Sequence, residues 1–262
     1  MDLKLKNKTV LVTGSTLGIG FATAKVFAQE GAKVFINGRD AQKVAQAVSK
    51  IEQAVPNAQV KGIVADLSDA KGADKIIHEI AELDILINNL GIFEPKAFAE
   101  ISDADWTRFF EINVMSGVRL SRYYFPKMLA KNWGRIVFLA SESGVHIPSE
   151  MVHYGMTKAA QIAIVKGMAE LTKGTAVTVN AVLPGPTRSE GVEAFVKNLA
   201  DSQGQNLTTV EANFFKEARP ASIIQRFIDV EEIANTVAFV ASPLAGATNG
   251  ASVRAEGGIL KF

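Results

Sequence analysis

Thr9-Val10-Leu11-Val12-Thr13-Gly14-Ser15-Thr16-Leu17-Gly18-Ile19-Gly20 decides the fold. Its opening is an apolar, β-branched run with the composition of a buried strand. Beyond the last glycine, Ala22, Val26 and Phe27 fall on one side of a helix-like stretch. A glycine-rich turn between strand and helix lets backbone approach a phosphate at the positive helix N-terminus. The spacing is TGxxxGxG rather than GxGxxG. Tight packing alone would also explain such glycines. Their place directly after the first strand favours a dinucleotide phosphate held by Gly14, Ser15, Thr16, Leu17, Gly18, Ile19 and Gly20.

Working outward, Lys33 to Asn37 reads as a second strand, followed by Gly38-Arg39-Asp40. At this strand end an acid holds a ribose 2′-OH and an arginine a 2′-phosphate. Arg39 therefore favours NADP over NAD, with Asp40 pulling the other way. Val60 to Ala65 forms a third strand ending at Asp66-Leu67, where Asp66 is either an adenine contact or a helix cap. Asp84 to Ile87 is a fourth, followed by Asn88-Asn89-Leu90-Gly91. At least one of these two amides is expected to hold backbone rather than ligand.

A long amphipathic helix is expected from Asp103 to Lys131, with Asn113 inside its apolar face and in need of a partner. Gly134 to Ala140 is a fifth strand that delivers Ser141, with Ser143 a competing candidate. Tyr154-Gly155-Met156-Thr157-Lys158 then opens a helix on which Tyr and Lys share one face. A phenol with an unperturbed pKa of ~10 is a poor base near neutrality, and an ammonium beside it favours the phenolate. Tyr154 is thus a candidate to exchange a proton with a hydroxyl or carbonyl.

Val177 to Val182 makes a sixth strand and Pro184-Gly185-Pro186-Thr187 the turn beyond it. From Arg188 to about Ser222 the chain is less periodic and carries Phe195, Leu199, Phe214 and Phe215, which suggests a lid. A helix over Val230 to Ala241 and a strand over Ala251 to Ala255 follow. Alternating strands and helices throughout imply one α/β domain over residues 1–262, a doubly wound parallel sheet with helices on both faces.

Lys and Arg number 28 against 27 Asp and Glu, a net charge of +1 without basic or acidic blocks. Nothing in that balance argues for nucleic acid or an anionic membrane, so a small, weakly charged molecule is the expected partner. Cysteine is absent. No apolar run approaches the ~18 residues of a membrane span, and the start lacks the apolar centre of a secretory signal, so a cytoplasmic protein is expected. The histidines, His78, His146 and His153, form no HExxH, no GxxxxGK[ST] follows the first strand, and no metal is expected.

Taken together, these residues resemble the short-chain dehydrogenase/reductase family over nearly the whole chain. The resemblance implies a Rossmann-type fold and an NAD(P)-dependent oxidoreductase moving a hydride between nicotinamide and a ketone or secondary alcohol. It maps the catalytic tetrad onto Asn113, Ser141, Tyr154 and Lys158. On the cofactor side it adds Asp66 with Leu67, Asn89 and Gly91 of an NNLG motif, and Pro184, Gly185, Thr187 and Ser189 at the nicotinamide end, with Tyr154 and Lys158 again in reach. Asn113 would hold a water linking Lys158 to solvent, and Gly38-Arg39 looks like the NADP-preferring strand end. A homotetramer is implied too, through the 103–131 and Tyr154 helices.

Leu90 stands where Ala is usual, and Leu17 where many NADP-preferring members carry a basic residue. A 3-oxoacyl thioester is the alternative substrate. The rival from another class is a nucleotide-binding sensor or scaffold without chemistry, which would be expected to have lost Tyr154 or Lys158.

Overall fold

The computed structural model describes residues 2–261, without the side chains of Phe195, Leu199 and Gln203. A seven-stranded parallel sheet runs in the order β3 (Gln59–Val64), β2 (Lys33–Gly38), β1 (Thr9–Val12), β4 (Ile85–Asn88), β5 (Gly134–Leu139), β6 (Val177–Pro184) and β9 (Ser252–Ala255). Successive strand residues point to opposite faces, and here both faces are apolar. Val10, Val12, Ile85, Ile87, Val137 and Leu139 share one core with Phe27, Ile51 and Val237, from α1 (Gly18–Gln29), α2 (Ala41–Ala54) and α9 (Val230–Val240). Leu11, Leu86, Ile136 and Phe138 share the other with Ile76, Leu120 and Val165, from α3 (Ala70–Glu79), α5 (Ser116–Ala130) and α6 (Val152–Glu170).

Burying each of these side chains stabilises the fold by about 1.5–3 kcal/mol. Leu86→Asp would bury an unpaired carboxylate at the centre of the second core. Strand order runs outward in both directions from β1, so the switch point lies between β1 and β4. In such sheets a crevice opens there, at the carboxyl ends of the strands.

Three stretches differ from the sequence reading. Helix α3, which the reading passed over, is capped by Asp69, whose side chain accepts from Gly72 N at 3.0 Å. The 103–131 stretch is not uniform: α4 (Asp103–Phe110) passes through a π-turn at Glu111–Met115 before α5. The 188–222 segment is ordered as α7 (Glu190–Gln203) and α8 (Leu207–Glu217), capped by Ser189 and Asn206 and separated at Gly204 in the left-handed region. These helices enclose a small core of Val196, Ala200, Val210, Phe215 and Phe227. Phe195 and Leu199, read as part of this segment, have side chains outside the described residues. A two-stranded parallel sheet of β7 (Thr187–Arg188) and β8 (Ile228–Asp229) closes the base of the segment. Among the described residues no helix is long and apolar enough to cross a membrane.

Candidate active site

The glycine turn is braced from beneath. Thr13 Oγ1 accepts from Asn89 N and Leu90 N, both at 3.0 Å. Asn89 Nδ2 donates to Thr13 O and Gly14 O at 2.9 Å. Ser15 Oγ donates to Val12 O (2.6 Å) and accepts from Asn37 N (2.9 Å), so its side chain holds the turn. Asn88 Nδ2 donates to Ser121 Oγ at 3.1 Å. Both amides of the Asn88-Asn89 pair therefore tie structure together. Gly14 and Gly18 have φ of +59°, which side chains rarely adopt, and a Cβ on Gly20 would stand 2.4 Å from Asn89 Nδ2. Leu90 lies against Gly14, so its extra bulk borders the turn.

At the neighbouring strand ends, Arg39 is exposed and has no ion-pair partner among the described residues. Asp40 caps α2, accepting from Lys43 N at 2.9 Å. Gly38 presses on Thr16, whose Cγ2 would be 2.6 Å from an added Cβ. Asp66 is exposed and accepts from Ser68 N at 3.0 Å, while the helix cap is Asp69. The side chain of Leu67 lies in the core, which leaves its backbone for any ligand.

A cavity of about 830 Å³ opens beside the turn, walled by Ser141, Tyr154 and Lys158 together with Asn89, Gly91, Pro184, Gly185, Thr187 and Ser189. The Phe93 ring meets Tyr154 edge-on, with centroids 6.4 Å apart. Thr187 Oγ1 donates to Gly185 O (2.9 Å), and Ser189 starts α7 at the rim.

Asn113 is buried in the π-turn behind these groups. Its Oδ1 accepts from Ile92 N (2.8 Å), and its Nδ2 donates to Ile92 O and to Thr157 Oγ1, both at 3.0 Å. The irregular turn of such a bulge changes which carbonyls are free. Here Asn113 O accepts from Gln161 Nε2 at 2.5 Å, and Gln161 Oε1 accepts from Lys158 Nζ at 3.2 Å. Gln161 thus joins the Asn113 carbonyl to Lys158 directly. Lys158 Nζ also donates to Leu139 O at 2.7 Å.

The expected lowering of the Tyr154 pKa by Lys158 is not what this environment produces. Burial pushes the phenol above its ordinary range and the Glu142 carboxylate adds to the rise, while the Ser141 hydroxyl and Arg219 pull the other way. Lys158 stands 5.6 Å from the centre of the ring. Burial pushes its own pKa down to about 7 against the opposing field of Glu142.

Four residues were missed by sequence reasoning: Gln161, Glu142, Arg219 and Glu190. Glu142 is buried beside Ser141, accepts that hydroxyl proton on Oε2 and pairs through Oε1 with Arg219, 3.4 Å away. A charged residue directly after the candidate Ser141, beyond the apolar run of residues 136–140, was the available signal. The competing candidate Ser143 donates its backbone N–H to Ser141 Oγ (3.1 Å) and Glu142 Oε2 (2.9 Å). Glu190, in the first turn of α7, accepts from Gly18 N at 2.8 Å. His153 is packed against Phe109 with ring centroids 4.0 Å apart, its Nδ1 has no partner, and burial lowers its pKa. No group of acidic or histidine side chains suited to a metal occurs among the described residues.

The residues fit a dinucleotide. The N-terminus of α1 has no side-chain cap, and the cleft before it, about 240 Å³, is walled by Gly14, Gly18, Gly20 and Gly91 among others. That leaves backbone N–H groups and the helix dipole for a diphosphate.

Comparison with known proteins gives the same class. The short chain dehydrogenase family matches residues 8–200. The uncharacterized oxidoreductase YvrD of Bacillus subtilis (strain 168) is 51% identical over 264 residues, covering 100% of this chain and 99% of that protein. A 3-oxoacyl-(acyl-carrier-protein) reductase, FabG, of Aquifex aeolicus (strain VF5) is 32% identical, covering 99% and 100%. The L-sorbose reductase from Gluconobacter frateurii, solved with NADPH and L-sorbose, has a TM-score of 0.94 at 28% identity, covering 100% of both chains. The chain belongs to the short-chain dehydrogenase family, and it is an oxidoreductase acting between CH–OH and keto groups with a nicotinamide dinucleotide.

Proposed function

We propose that this chain reduces a ketone to a secondary alcohol with NADPH, and that Tyr154 delivers the proton. What carries the reading is the geometry: Ser141, Tyr154 and Lys158 share one cavity wall beside the glycine turn, and a phenol that holds its proton at neutral pH can give it to a ketone oxygen. Ser141 turns its hydroxyl to the carbonyl oxygen as charge develops there. Lys158 is held in place by Leu139 O and Gln161, and the 188–222 segment is the lid that keeps water from the reacting carbon.

The glycine turn holds the diphosphate, Asp66 and the Leu67 backbone the adenine, and Asn89, Gly91 and Lys158 the nicotinamide ribose. Pro184, Gly185, Thr187 and Ser189 border the nicotinamide end. Exposed and unpaired, Arg39 is the partner of a 2′-phosphate, and Asp40 is engaged as a helix cap. NADPH in the sorbose reductase supports this choice. When bound, the nicotinamide supplies the hydride.

The test is Tyr154→Phe, assayed for ketone reduction and, by fluorescence titration, for NADPH binding. Turnover should fall by about 10²- to 10⁴-fold, the usual contribution of a positioned proton donor, with binding of NADPH within about threefold of the wild type. Unchanged turnover would sink the assignment.

A further inference from the structure

Glu142 is 4% exposed and stands on the cavity wall one residue from Ser141. Its Oε2 takes the Ser141 hydroxyl proton and the Ser143 N–H at 2.9 Å. Its Oε1 faces Arg219 Nε at 3.4 Å. Arg219 reaches in from the end of α8, with Nη1 divided between Ala218 O (2.7 Å) and Glu150 Oε1 (3.3 Å) and its guanidinium 5.8 Å from the Phe214 ring. The Arg219 and Glu142 side chains keep only 12% and 6% of their surface exposed, and a charge pair withdrawn from water in this way is costly to build. A cavity for a purely apolar ketone would be served as well by apolar side chains.

A serine hydroxyl has one proton, and here it goes to Glu142 while the Ser143 N–H occupies an acceptor position on the same oxygen (3.1 Å). To hold a carbonyl oxygen, Ser141 must turn that proton away, which leaves a buried carboxylate short of a donor. A substrate hydroxyl on the carbon next to the carbonyl repairs the loss, because oxygens on adjacent carbons stand about as far apart as hydrogen-bonded oxygens. Ser141 then donates to the carbonyl, and the substrate hydroxyl donates to Glu142 in its place. The added group must be neutral. A substrate ammonium would take Glu142 and strand Arg219, and a carboxylate would do the reverse.

Building on carbonyl reduction at Tyr154, we propose that Glu142, held by Arg219, selects a neutral ketone bearing a hydroxyl on the adjacent carbon, so that the product is a vicinal diol. The carbonyl carbon gains a hydride and its oxygen gains the Tyr154 proton. The dinucleotide is oxidised as the C=O bond becomes CH–OH, and the neighbouring hydroxyl is unchanged.

Hydroxyacetone and 2-butanone differ by a hydroxyl against a methyl, and their reduction by the full-length enzyme is followed through the dinucleotide absorbance. Wild type should favour hydroxyacetone by about 100-fold or more in kcat/KM, since a site built for a hydroxyl strongly rejects its absence. In Glu142→Gln the preference should fall below about tenfold, mostly through hydroxyacetone; intrinsic reactivity cancels in that comparison. A wild-type ratio near one, or a ratio unchanged in the variant, overturns the proposal. Should the variant fail to fold, inhibition of the wild type decides. Propane-1,2-diol should inhibit at least about tenfold more tightly than 2-butanol, and equal inhibition overturns the proposal. Tyr154-dependent reduction of 2-butanone or a 3-oxoacyl thioester, with no preference for hydroxyacetone, would remove this role of Glu142 and leave carbonyl reduction standing. No reduction of any ketone would remove the reading beneath it.

Discussion

Glu190 and Gly18 meet across the mouth of the crevice: the carboxylate of the first turn of α7 accepts the backbone N–H at the start of α1, 2.8 Å away. A helix N-terminus attracts anions, and here a carboxylate already occupies one of its donors. A bound diphosphate would share that end of the helix with a like charge. Glu190→Gln should therefore tighten NADPH binding by about three- to tenfold at low salt, with the gain shrinking as salt screens the repulsion. Fluorescence titration at two ionic strengths measures it. Weaker binding in the variant would make Glu190 a strap that helps retain the dinucleotide.

Arg39 should decide between the two dinucleotides. It is exposed and has no ion-pair partner among the described residues, so a 2′-phosphate would be its first. Removing a charge-assisted hydrogen bond of ~1.5–3 kcal/mol by Arg39→Ala should raise the Kd for NADPH by about 10- to 100-fold and leave that for NADH nearly unchanged. Equal losses for both would refute the 2′-phosphate role.

Lys158 gives the ligand-free protein a signature in pH. Its folded-state pKa is pushed down to about 7 from the ordinary 10.5. Between those values the unfolded chain holds a proton that the folded chain releases, so stability rises with pH across that window. The penalty of the buried ammonium is fully present below pH 7 and gone above the unfolded pKa. Lys158→Met should thus melt above the wild type at pH 7, with a difference in Tm that fades towards pH 10. Gln161→Glu, which sets a carboxylate where Oε1 now accepts from Nζ, should move the window upward. Thermal melts of the three proteins from pH 6 to 10 provide the check.

The sheet is legible in the sequence because strands buried on both faces carry short unbroken apolar runs, as at residues 10–12 and 136–139. Helix α3 is legible in principle. Asp69 is a cap and Ala73, Ile76, Ile77 and Ile80 repeat with helical spacing, yet the polar residues between them masked the pattern. In α7 the apolar stripe is interrupted because the helix packs on α8 rather than on the sheet.

Within the site, Ser141, Tyr154 and Lys158 are visible from local context and do share one cavity wall. Gln161 and Arg219 are not visible in that way. Arg219 acquires its part only through Glu142, distant in sequence, and Gln161, although one turn from Lys158, is fixed by the carbonyl of Asn113.

The short parallel pair β7 and β8, with Thr187 opposite Ile228 and Arg188 opposite Asp229, brings the two ends of residues 189–227 side by side. An excursion whose ends already meet behaves as a cassette. The entropy of closing it grows only with the logarithm of its length, so its sequence and size can change without disturbing β1 to β6 or the helix that carries Tyr154. Selectivity is then divided between Glu142, beside Ser141, and the variable excursion that brings Arg219 to it. Exchanging residues 189–227 between relatives is a route to new substrate ranges on an unaltered catalytic floor.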